Sequence, residues 1–220
     1  MSDDSTREQI MESTFHALAE HGYADLTIQA IADEFDKSKS LIHYHYDSKA
    51  ELMVAFLEYL LDDFVEVVEE HGADDPAEQL RRIARIVVVG LDWDPTDVHI
   101  SLLQLRAQAP FEEELRSQLV ANDQLIRKLI VDIVREGVES GRFREVDPER
   151  YAATFRSAIE GAQSHEIILG EDAPTEEALA GIEEYLIDDL LVEGAGADGG
   201  DDASRTDGGE QDAGRPEGET

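Results

Sequence analysis

Residues 26–49 read "LTIQAIADEFDKSKSLIHYHYDSK". The stretch divides at its middle. Thr27 is placed to cap a helix N-terminus with its hydroxyl, and the helix that follows gathers Ile28, Ile31, Ala32 and Phe35 on one face. "DKSK" cannot prolong that face, and Ser38 offers a second cap. The next helix turns Leu41 and Ile42 inward and leaves Lys39, Ser40, His43 and Tyr44 largely outward. Two short helices joined by a turn of about three or four residues make a helix-turn-helix, whose second helix enters the major groove.

Charge singles out the same stretch. The chain has 220 residues and a net charge of −34, from 52 acids against 18 Lys and Arg. Residues 1–36 carry −8 and residues 50–193 carry −22, yet residues 37–49 carry +2. Asp47 is the one acid where Lys37, Lys39 and Lys49 alternate with histidines and tyrosines, as suits a surface meeting phosphate. Elsewhere acids spread over every segment. That pattern suggests a surface adapted to molar salt, where the Debye length shrinks to about 3 Å and repulsion of DNA is screened as well. Wholesale disorder is a poor alternative, because 41% of residues are hydrophobic and recur at helical spacing through residue 192.

The whole chain up to that point reads as helix. Apolar periodicity predicts helices over about 4–21, 27–34, 38–45, 48–71, 76–92, 96–108, 111–140, 148–169 and 175–192, with breaks at glycines and prolines such as Gly22, Pro76, Pro95, Pro110 and Pro148. Even "RIVVVG" (85–90), the one β-branched run, continues a helical pattern. The expected fold is all-α. A tri-helical helix-turn-helix unit occupies 1–47, and a helical effector-binding and dimerisation bundle occupies 48–193. Residues 194–220 hold eight glycines, eight acids and no large apolar side chain, so a disordered acidic tail is expected there. Cysteine is absent. No apolar run approaches the roughly 20 residues of a membrane span, and a cytoplasmic protein is expected.

The residues of 8–55 resemble the N-terminal signature of TetR-family transcriptional regulators. The resemblance rests on Thr27, Ile31 and Ala32, Ser38, the run His43–Tyr44–His45–Tyr46, and Lys49. It departs from the family pattern at Asp36, Lys37, Ser40 and His43. The later segment "FEEELRSQLV…IVREGVESGRFREVDPERYAATFRSAIEGAQS" is similar to the ligand-binding halves of betaine-regulator-like members. The resemblance implies a ligand-responsive regulator, a repressor in most members, that binds a palindromic double-stranded DNA operator as a homodimer. Thr27, Gln29, Lys37, Ser38, Lys39, Ser40, Leu41, His43, Tyr44, His45 and Lys49 are its candidate DNA contacts, with Leu41 and Tyr44 towards base edges and the lysines on phosphate. The competing reading is a helical protein-interaction module that has lost DNA binding.

The second half must then supply a small-molecule site and a dimer face. Polar groups in its otherwise apolar helices nominate His99, Gln104, Arg106, Arg127 and His165 for an effector of unknown identity, with Trp93 and Phe111 as walls. Small residues in 148–169 and the wide apolar stripe of 175–192 nominate Phe155, Ala158, Ile159, Gly161, Ala162, Ile182, Tyr185, Leu186 and Leu190 for the dimer interface. "DWDPTDVHI" (92–100) places Asp97 and Leu103 where a calcium loop needs Gly and Glu, so its acids read as helix-end caps. No HExxH occurs and no acid pair stands out. Neither a metal, a cofactor nor a catalytic residue is expected, and the protein is not expected to be an enzyme.

Overall fold

Caps and prolines in the sequence set the helix boundaries. In the computed structural model, which describes residues 3–34, 39–70, 75–90 and 95–192, the elements are α1 (Asp3–Asp25), α2 (Ile28–Glu34), α3 (Lys39–His45), α4 (Lys49–Glu70), α5 (Pro76–Val89), α6 (Pro95–Gln108), α7 (Glu113–Glu139), α8 (Pro148–Leu169) and α9 (Thr175–Ile182). The tail expected over 194–220 lies outside the described residues. Asp75 and Asp147 cap α5 and α8, accepting from Ala77 N at 2.8 Å and Arg150 N at 3.0 Å. A proline follows each cap, where its missing N–H costs nothing. Ser48 Oγ accepts from Glu51 N at 3.0 Å to start α4, while the Glu51 carboxylate accepts from Asp47 N at 2.7 Å. Gly22 interrupts α1 with a φ of +71°, a conformation that glycine adopts without steric cost.

The all-α reading holds. Among the described residues the only β pairing is one isolated bridge, Phe143 to Leu191, and no helix is long and apolar enough to cross a membrane.

Two apolar cores form. The first collects Ile10, Phe15 and Leu18 of α1, Ile31, Ile42 and Tyr46, but also Leu52 and Phe56 of α4, Leu105 of α6 and Leu115 of α7. Burying each large side chain contributes about 1.5–3 kcal/mol, so α4, α6 and α7 are integral to the packing of α1, α2 and α3. The second core joins Leu80, Ile83 and Val88 of α5, Ile130 and Val134 of α7, and Phe155 and Ile159 of α8 to Ile182, Ile187 and Leu190. Helix α7 packs along α8 and α4, and α6 packs against both α1 and α8. Gly137 lets α7 close on the following turn, because a Cβ there would lie 2.0 Å from the Phe143 ring.

The last helix departs from the expectation of one element over 175–192. After Ile182 the chain widens into a π turn (Glu183–Ile187) and then tightens into a 3-10 turn (Asp188–Leu190). The buried residues explain the change. Ile182 to Ile187 is five positions and Ile187 to Leu190 is three, steps that match one π turn and one 3-10 turn. Arg81 holds the altered segment to α5 through Glu183 at 2.9 Å and Asp188 at 2.5 Å.

Candidate DNA-binding helix and effector cavity

Local capping builds the first site. Thr27 Oγ1 accepts from Ala30 N at 3.1 Å, so its hydroxyl starts α2. Gln29 is exposed and donates to Asp33 at 2.7 Å. On α3, Ile42 is fully buried and Leu41 half-buried against the first core. That anchoring turns Lys39, Ser40 and His43 outward and leaves Tyr44 81% exposed. His45 is half-buried, its ring edge-on to Tyr44 with centroids 5.2 Å apart. Tyr46 belongs to the core. An anchored seven-residue helix thus offers one cation, one imidazole and one free-standing aromatic on a single outward face. Lys37 and Ser38 lie outside the described residues.

Lys49 departs from its expected place on phosphate. Its ammonium donates to Tyr23 O at 2.5 Å and sits 4.0 Å above the centre of the Tyr23 ring. Burial pulls its pKa down, and Glu112 and Asp25 oppose that. The lysine therefore ties α4 to the end of α1. Tyr23 carries two further bonds. Its hydroxyl donates to Glu112 at 2.6 Å, at the start of α7, and its N–H reaches Gln104 Oε1 of α6 at 2.5 Å. Burial, reinforced by Glu112, keeps the phenol protonated far above neutral pH. One tyrosine thus connects the helix-turn-helix unit to α4, α6 and α7. Sequence reasoning missed it. Gln104 belongs to this joint, not to a ligand site, because it lies on the face of α6 that meets α1.

The second site is a cavity of about 560 Å³, within the range of roughly 300–1,000 Å³ usual for small-molecule sites. Its apolar walls include Phe15 of α1, Phe56 and Phe64 of α4, and Leu102 of α6. Three of the residues nominated from the sequence, His99, Arg106 and Arg127, line it. His99 is buried, and burial first, Arg106 second, lower its pKa to about 4, so it stands neutral at pH 7. Two other nominations fail. Phe111 is 84% exposed and His165 is exposed, because both fall on outward faces. Trp93 and Asp92 lie outside the described residues.

The sequence did not single out the acids and the third arginine of this wall. Arg106 donates to Gln163 at 2.9 Å and pairs with Glu160 at 3.3 Å. Arg127 donates to Asp123 at 2.8 Å. Arg156 stands between, 3.3 Å from Glu160 and 3.6 Å from Asp123. Only the i, i+4 spacing of Asp123 with Arg127 and of Arg156 with Glu160 hinted at such pairs.

The dimer nominations divide by burial. Phe155, Ile159, Ala162, Ile182 and Leu190 fill the chain's own second core and cannot meet a partner without unfolding it. Ala158 and Leu186 are half-buried against that core, while Gly161 is exposed and Tyr185 is 68% exposed. Ile168 and Leu169, not nominated, are exposed at the end of α8. Helical periodicity could not assign these faces, because one stripe of α8 serves the internal core.

Known proteins share this arrangement. Residues 10–56 match the model of bacterial regulatory proteins of the tetR family, and residues 76–191 match that of the BetI-type transcriptional repressor C-terminal domain. An HTH-type transcriptional regulator BetI from Stenotrophomonas maltophilia is 34% identical over 80 residues, 35% of this chain. The match spans only 41% of that relative's length. A TetR transcription regulator from Haloarcula marismortui superposes with a TM-score of 0.78 at 36% identity, covering 86% of this chain and all of the other. A transcriptional regulator from Saccharomonospora viridis, solved in complex with choline, shares the fold at 20% identity, with a TM-score of 0.75 over 87% of this chain and all of its own. An anchored outward helix at one end and a BetI-type helical body at the other therefore place the chain in the TetR family of transcriptional regulators.

Proposed function

We propose that the chain is a ligand-responsive repressor that binds a palindromic operator as a homodimer, in a cell of high internal salt. One observation carries the ligand response. Phe15 and Phe56 are at once walls of the cavity and members of the core that seats α2 and α3. A molecule entering the cavity therefore presses on the DNA-binding unit directly. It also touches His99, Leu102 and Arg106 of α6, while Gln104 of the same helix holds Tyr23. Lys39, His43 and Tyr44 meet the DNA, the first two on phosphate and the last at a base edge. The partner subunit rests on the outward sides of α8 and of the π turn after α9, where Gly161, Tyr185, Ile168 and Leu169 remain reachable. The acidic surface keeps such a dimer soluble in molar salt.

Operator DNA isolated by selection and followed by fluorescence anisotropy in molar KCl tests the reading, with light scattering in the same buffer. A two-fold symmetric site bound by a dimer is expected. The paired variants Tyr23→Phe and Gln104→Ala should still bind DNA but lose its release by an effector. A monomer that selects no sequence rules the proposal out.

A further inference from the structure

The charge of the cavity wall points to the chemistry of its ligand. Among the described residues Arg106, Arg127 and Arg156 pair with two acids, Asp123 and Glu160, in a connected chain, and His99 beside them is neutral. Three guanidiniums on two carboxylates leave one positive charge in excess, inside a protein of net charge −34. Arg156 is the member whose hydrogen bonds are unmet. Its side chain is 8% exposed, and its Nε and Nη1 are buried without a hydrogen-bond acceptor among the described residues. Asp123 and Glu160 flank it at ion-pair distance only, Asp123 already accepting the short bond from Arg127. Desolvated guanidinium donors of this kind are costly unless an acceptor arrives. A planar carboxylate matches the guanidinium fork and accepts two such bonds. The remainder of the wall is aromatic and aliphatic, including Phe15, Phe56, Phe64 and Leu102.

We infer that the effector is an anionic amphiphile, a carboxylate on an apolar body, whose head group seats on Arg156. The inference rests on reading the cavity as the effector site. Such a head completes the hydrogen bonds of Arg156 and neutralises the surplus charge, while the apolar body covers Phe15 and Phe56. A quaternary ammonium would instead add a second uncompensated cation to the cluster. The cavity's other charged lining groups among the described residues, Asp63 and Arg116, cancel in number and leave that surplus unchanged.

The test uses the full chain in molar KCl and four probes: sodium decanoate, decanol, decyltrimethylammonium bromide and choline chloride. Thermal shift and isothermal titration should show decanoate binding at least about tenfold more tightly than decanol, the increment of a charge-assisted pair, with the two cations bound most weakly. Arg156→Lys should keep part of that preference. Arg156→Met should bind decanoate and decanol alike while still binding decanol, so that a folded site is demonstrated by the same experiment. If Arg156→Met does not fold, Arg156→Lys together with the order of the four probes on the wild-type chain decides. Tighter binding of decyltrimethylammonium or choline than of decanoate overturns the anionic head and leaves the effector site standing. Binding of none of the four overturns both.

Discussion

Two sets of basic groups in this acidic chain, those of α3 and those of the cavity wall, are treated in opposite ways. On α3, Lys39 projects into solvent with no ion pair to any described residue. In the cavity wall, Arg106, Arg127 and Arg156 are interlaced with Asp123 and Glu160. The difference follows from desolvation. A cation meant for an external polyanion stays hydrated until it binds, so leaving it unpaired costs nothing. A guanidinium buried as Arg156 is, at 8% exposure, loses its water for good, and only nearby carboxylates make that tolerable. Electrostatics is thus free on α3 and constrained by folding in the cavity.

Removing the internal anions should give the largest effect. Asp123→Asn with Glu160→Gln leaves three guanidiniums against no carboxylate in the cluster. Breaking a fully buried pair costs about 3–5 kcal/mol. Both acids are more than a third exposed (40% and 36%), which trims the expected loss to about 3 kcal/mol. Urea unfolding in molar KCl, read as a lower midpoint at constant slope, checks it. Unchanged stability would put the cluster on the same footing as the surface.

His99 sharpens the contrast next. Its folded pKa is lowered to about 4, by burial and then by Arg106. Above about pH 6.5 it is neutral in both states and costs nothing. As the pH falls from there towards 4, the unfolded chain takes up a proton that the fold refuses, so stability is lost over that window and levels off below it. The wild type should therefore lose about 2 kcal/mol more than His99→Gln between pH 7 and pH 4.5. Parallel curves for the two proteins would mean that the imidazole is not held in a dry wall.

How much of each region could be read beforehand follows the same physics. The outward helix was legible because its signals are local. Caps, a turn and a cluster of lysines within 24 residues imply a face, and the structure turns Lys39, His43 and Tyr44 that way. Lys49 was misplaced, since nothing in its neighbourhood of sequence announces Tyr23, 26 positions earlier. The cavity was half legible. His99, Arg106 and Arg127 stand out as polar residues in apolar helices, but Arg156 and Glu160 sit in the stretch that helical spacing assigned to a dimer face. Burial alone separates the inward face of α8 from its outward one, and burial depends on which helices pack against it. Ile187 and Leu190 illustrate the same limit, as their five- and three-residue steps become visible only once the core around them exists.

On α3 the effects should be smaller and of a different kind. Tyr44 touches little of its own chain apart from the His45 edge, so Tyr44→Ala should leave the melting temperature near wild type. Its loss should appear in discrimination between operator and random DNA, by about 1–2 kcal/mol if one base edge or thymine methyl is read. Competition anisotropy with both DNAs measures this. An equal loss on both would reduce Tyr44 to a backbone contact.

Lys39→Gln should be the mildest change to the protein itself. The side chain is exposed and makes no ion pair among the described residues, so stability should move by less than about 0.5 kcal/mol. Binding should still weaken on every DNA sequence alike, because a phosphate contact positions without specifying. Each neutralised phosphate contributes about 0.9 to the slope of log affinity against log salt. The variant should therefore show a slope shallower by about that amount per subunit, or roughly 1.8 for a dimer. A titration from about 0.2 to 2 M KCl spans Debye lengths from several ångströms to below 3 Å, wide enough to resolve such a change. Repulsion from the acidic body acts on both proteins equally and cancels in the difference. An identical slope for wild type and Lys39→Gln, with unchanged affinity, would show that the free cation of α3 meets no phosphate, and the outward and inward clusters would no longer be two answers to the same polyanionic chain.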